Sequence, residues 1–152
     1  MLRSVERLRL LTAEQRTIVA ASALLLPFVR LSLRTRGFRR TADTLTRWSE
    51  RRAGEPDTAR ARLAAEAVTI VARRPNVGAR CLERSLVLWF LLRRRGIDVD
   101  LLMGAEPPRG GSLPAHAWVE LSGVPLNEPA DVRERFGSFD LRLPRLAPPA
   151  DP

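Results

Sequence analysis

A chain of 152 residues is long enough for one domain with a real core and too short for two full ones. One cysteine excludes an internal disulfide, and one Cys with one His leaves too few nitrogen and sulfur ligands for zinc, so neither a metal nor a cofactor is expected. The net charge of +9 comes from 26 basic residues, all arginine and scattered; with few aromatics and no tyrosine they form no base-stacking stripe, so no specific nucleic-acid binding is expected, while a basic groove for an acidic peptide stays open.

Residues 1 to about 75 read as helical. Thr12 can cap a helix, and Gln15 stands where a capping-box partner would. The helix should run through Leu24-Leu25-Leu26 and kink or end at Pro27. Its apolar run, Ile18 to Val29, is too short to span a bilayer and lies too far in, without a clean cleavage site, for a secretory signal; it reads as a buried helix. A second segment, about Arg39 to Arg52, spaces Ala42, Leu45 and Trp48 at intervals of three, and Ala53-Gly54-Glu55-Pro56 breaks it. A third, Asp57 to Arg73, puts Leu63, Ala64, Ala67, Val68 and Val71 on one face.

After a loop over residues 75–78, a helix from about Ala79 to Arg95 is apolar most of the way round, with Gly96 as its stop and Arg93, Arg94 and Arg95 in its last turn, where cations offset the dipole. It should be central and buried. Ile97 to Met103 reads as a strand, residues 106–113 as a Pro/Gly-rich loop, Ala115 to Leu121 as a second strand, and Val124 to Asn127 as a short return strand. The fold class is therefore α+β: a helical N-terminal region (residues 1–60), a core of central helix and small antiparallel sheet (61–140), and a Pro-rich tail (141–152) lying on the surface.

The single cysteine, Cys81, falls at the head of the central helix, between Arg80 and Arg84. The positive end of the dipole and unpaired backbone N–H groups favour thiolate there, and the same groups can hold an oxyanion. The single histidine, His116, lies on the second strand, and a thiol–imidazole pair is an activated nucleophile. Such a base needs an orienting partner. A three-residue hairpin loop would set His116 opposite Glu128; a two-residue Ser122-Gly123 turn would put Asn127 on the His116 face. Glu128 is favoured because a carboxylate stabilises imidazolium better than an amide; Asn127 and then Asp131 follow. Each residue has a plainer reading: Cys81 as a small buried hydrophobe, His116 as structural, Trp118 as a core or cleft-wall residue, Trp89 as core, Arg84 as solvated and Ser85 as small packing.

The stretches Arg80-Cys81-Leu82-Glu83-Arg84-Ser85-Leu86, Leu-Leu-Arg-Arg-Arg-Gly (91–96) and Ala115-His116-Ala117-Trp118-Val119-Glu120 together resemble the leader peptidase of lasso-peptide biosynthesis, the discrete protease half of the B protein in the transglutaminase-like superfamily. The similarity extends over about Ala64 to Phe136 and includes Asn127 to Phe136. It implies a papain-like fold with Cys81 as nucleophile, His116 as base and a third residue that is usually Asp; this chain has Glu128 there. It further implies removal of a leader from a ribosomally made precursor peptide in the cytoplasm, with a small leader-binding recognition-element protein and a separate cyclase as partners. The N-terminal helices are the candidate docking surface. The alternatives are transglutaminase-like acyl transfer to an amine, and a non-catalytic peptide-binding scaffold with a degenerate triad.

Overall fold

The computed structural model describes residues 12–51, 53–106, 115–139 and 143–148. The loop expected over 106–113 lies outside the described residues from position 107 on, as do residues 141–142 and 149–152 of the tail.

Helix α1 spans Ala13–Trp48. It opens at Thr12 as the spacing predicts: the Gln15 N–H donates to the Thr12 hydroxyl (3.2 Å) and the Thr12 N–H donates to Gln15 Oε1 (2.9 Å). The expected break at Pro27 does not occur. The chain stays helical through the proline, which faces outward, while its neighbours Leu26 and Val29 are buried in the core. That packing outweighs the one backbone bond proline removes. The break comes instead at Gly37 (φ 76°, ψ 176°), a conformation that favours glycine. There the helix folds on itself, so that the Ser32 and Thr41 hydroxyls meet at 2.8 Å and the Phe28 and Trp48 rings stack with centroids 5.5 Å apart.

Because α1 continues past the apolar run, it is long and apolar enough to cross a membrane by length and composition, with a mean hydropathy of 1.5 over its most apolar window. Core helices of soluble proteins meet the same criterion; here Ile18, Ser22, Leu26 and Val29 of α1 are buried while Leu24 and Leu31 are exposed, so the run expected to be buried is buried along one face only.

Helix α2, Thr58–Ala72, is capped by Asp57, whose carboxylate accepts from the Arg60 N–H (2.9 Å). Its buried stripe runs through Ala61, Ala64, Ala65, Val68 and Ala72. Leu63, expected on that face, is exposed: the helix is turned so that small residues meet its neighbours and let the backbones approach.

Helix α3, Cys81–Arg93, is the central element, buried continuously from Ser85 to Arg93. It ends as expected at Gly96 (φ 77°), with Ile97 N–H bonded back to the Leu92 carbonyl (3.1 Å). Arg93 does not face water. It is buried against the Trp89 ring and donates to Ser49 Oγ and to the Pro144 carbonyl (2.7 Å). Burial lowers its pKa, and nearby Asp98 and Glu50 oppose that shift.

The antiparallel sheet has the order β3-β2-β1-β4, made of β1 (Asp100–Ala105), β2 (Ala115–Leu121), β3 (Val124–Pro125) and β4 (Gly137–Phe139). Strand β1 begins later than expected: the Ile97 N–H is taken by the Leu92 carbonyl at the helix stop, and pairing with β2 starts at Asp100. Strand β4 has no counterpart in the sequence reading, nor has the short helix α4, Val132–Arg135. Strand β2 is two-sided. Val119 and Leu121 join the main core with α3; Trp118 packs on the other face with Val132, Phe136 and Leu102. The described tail is anchored rather than merely superficial: Leu146 is buried, its N–H donates to Asp98 (3.0 Å), and the Ala147 carbonyl accepts from Ala53 (2.8 Å).

Candidate active site

Cys81 is the first residue of α3 and is half-buried. Arg80 occupies the N-cap position and offers no side-chain cap. Arginine carries only donors, so it cannot satisfy the first-turn N–H groups as Ser or Asp would. Glu83, one turn on, closes the turn from the other side by accepting from the Arg80 N–H (3.0 Å). The helix head is thus ordered while its amides keep their capacity for an anion.

His116 is the second residue of β2, across from Gly104 of β1. Its imidazole stacks 4.7 Å from the Phe136 ring at an interplanar angle of 19°, with Trp118 6.5 Å away on the same strand face. Nε2 is 3.1 Å from Glu128 Oε1, yet it is buried without a formed hydrogen bond, because the approach is off the N–H direction. The same Glu128 oxygen takes the Arg84 guanidinium of α3. The carboxylate therefore joins the helix that begins with Cys81 to the strand that carries His116.

The hairpin adopts the two-residue turn: Leu121 pairs with Val124 and Glu120 with Pro125, with Ser122 (φ 51°) and Gly123 (φ 82°) both left-handed. Register alone would favour Asn127, but β3 ends at Pro125, and after one more backbone bond, from the Leu126 N–H to the Val119 carbonyl (2.9 Å), the chain leaves the sheet. Asn127 turns inward: its Oδ1 accepts from the Val119 N–H (2.8 Å) and its Nδ2 donates to Ser85 Oγ (3.0 Å). Glu128, next along, reaches His116. Asp131 is exposed at the start of α4.

Two residues read as packing do more. Ser85, fully buried one turn after Cys81, donates to the Ala117 carbonyl (2.8 Å), fixing α3 against the strand next to His116. Trp118 is fully buried, and its Nε1 donates to Glu120 Oε1 (2.7 Å). Glu120, 1% exposed, also holds Arg133 of α4, whose Nε donates to the same oxygen (2.7 Å). That bond is also what raises the pKa of Arg133. The arrangement secures α4 and, beyond it, Phe136 over the His116 ring. The i, i+2, i+4 spacing of His116, Trp118 and Glu120 puts them on one face of the strand; nothing local marks Phe136.

Among the described residues no group of three or more His, Cys, Asp or Glu side chains is arranged to hold a metal. The family model described as the transglutaminase-like superfamily matches residues 23–139, most of the chain. No curated protein and no solved structure matches it.

Proposed function

The chain belongs to the transglutaminase-like superfamily, and from that premise we propose that it is a cysteine peptidase that removes the leader from a ribosomally made lasso-peptide precursor in the cytoplasm. Cys81 is its nucleophile, His116 its base and Glu128 the acid that orients the base. The observation that carries this reading is the 3.1 Å approach of His116 Nε2 to Glu128 Oε1, with Arg84, three residues after Cys81, on the same oxygen. The leader-peptidase specificity rests on the RCLERSL and AHAWVE stretches.

In the reaction the Cys81 thiolate attacks the scissile carbonyl, and its oxygen becomes an oxyanion facing the uncapped amides of the α3 head. His116, having taken the thiol proton, delivers it to the leaving amine as the C–N bond breaks, which frees the N-terminus of the core peptide. The leader remains as a thioester on Cys81. His116 then takes a proton from water, hydroxide adds to the thioester, and the leader leaves as a carboxylate with the thiol restored. Glu128 holds the ring and stabilises the imidazolium in both halves. No metal or cofactor enters. A recognition-element protein presents the leader, docking on the N-terminal helices, and a cyclase consumes the freed core.

The test is precursor cleavage with the recognition-element partner present, wild type against Cys81→Ala. Cleavage by wild type alone supports the reading; equal cleavage by the variant overturns it and favours a peptide-binding scaffold. Adding a labelled amine separates hydrolysis from acyl transfer: label incorporated in place of hydrolysis would make the protein a transferase.

A further inference from the structure

Cys81 is delivered by a short irregular segment between α2 and α3, and a side chain from α1 holds both that segment and the turn after it. The Arg30 guanidinium donates from Nη1 to the Val77 carbonyl (2.9 Å), from Nη2 to the Gly78 carbonyl (2.6 Å) and from Nε to Glu83 Oε1 (3.1 Å). The other Glu83 oxygen takes the Arg80 N–H (3.0 Å). One planar fork thus links three points that bracket the thiol, two before it and one after. The N–H groups of the segment are held from the opposite side: Val77 and Gly78 donate to the Arg74 carbonyl (2.9 Å each) and Ala79 to the Ala72 carbonyl (3.1 Å). Arg30 completes the hold by satisfying the carbonyls.

We propose that Arg30 is a positioning residue for Cys81, fixing the loop and the first turn of α3 so that the amides at the helix head face the sulfur. The role is specific to arginine. Lysine keeps the charge but ends in a single ammonium, which does not reproduce a fork spanning two carbonyls and a carboxylate. The catalytic part of the proposal rests on Cys81 being the nucleophile; the positional part does not.

Cys81 is the only thiol in the chain, so iodoacetamide reports on it alone. The experiment compares alkylation rates at neutral pH, and kcat and KM for precursor cleavage, in wild type, Arg30→Gln and the milder Arg30→Lys, with circular dichroism to score folding. In the folded variants alkylation slows several-fold, because amides that no longer face the sulfur stabilise its anion less. Turnover falls by about tenfold or more while KM stays near the wild-type value, and lysine does not rescue. If Arg30→Gln does not fold, Arg30→Lys carries the test. Alkylation at or above the wild-type rate in a folded variant overturns the proposal, whatever the protein cleaves. A wild type that cleaves no precursor overturns the peptidase reading and leaves the alkylation result to judge Arg30.

Discussion

The Glu120–Arg133 pair makes an asymmetric prediction. Glu120 is 1% exposed, whereas the Arg133 side chain is 53% exposed. Replacing Glu120 by Gln leaves an oxygen for the Trp118 indole and frees Arg133 to be hydrated, so the loss is one charge-assisted interaction, about 1–2 kcal/mol. Replacing Arg133 by Ala leaves a buried carboxylate with only the indole as donor. Breaking a buried pair in this direction costs about 3–5 kcal/mol, and water reaching the vacated exposed flank puts the expected value near the lower end. Removing the more exposed partner should therefore destabilise more than neutralising the buried one, and the double variant should be close to Glu120→Gln alone. Urea unfolding followed by tryptophan fluorescence measures all three. An Arg133→Ala loss equal to or smaller than that of Glu120→Gln would refute the reasoning, since Glu120 would then be hydrated without its partner.

Three further substitutions test the frame around the site. A Cβ at Gly104 would lie 2.7 Å from the Gly137 carbonyl and 3.1 Å from both Phe136 and Trp118; Gly104→Ala should therefore cost about 1–3 kcal/mol and lower the thermal midpoint, as forced overpacking does. Ser85→Ala removes the bond to the Ala117 carbonyl and the acceptor of Asn127, so it should cost about 1–3 kcal/mol in urea unfolding, the range for buried groups left unpaired. Ser122 holds φ 51° in the hairpin turn, where Asn is better tolerated; Ser122→Asn should raise stability by a few tenths of a kcal/mol in the same assay.

The parts of the fold visible in the sequence are those set by neighbours in the chain. The Thr12 capping box, the Gly96 stop, the all-round apolar α3 and the span of β2 all follow from residues within one or two turns of each other. Features set by distant contacts were not visible. Pro27 stays helical because its flanks are buried by other elements, and β4 exists because it pairs with β1. The Arg30–Glu83 bond joins residues 53 apart and has no local signature. At the candidate site, Cys81 and His116 stood out as lone residues of their kind, and Glu128 on grounds of charge. The sequence left both hairpin turns open; the structure takes the two-residue one and still brings Glu128 to His116, because the chain leaves the sheet after Leu126.

The most direct measurement is intact-mass analysis of the protein quenched with acid during precursor turnover. If Cys81 performs the proposed chemistry, a species heavier by the leader fragment, less one water, accumulates and maps to Cys81 as a thioester. It disappears on treatment with hydroxylamine and is absent from Cys81→Ala. Cleavage by Cys81→Ala, or an adduct mapped to any other residue, would contradict it.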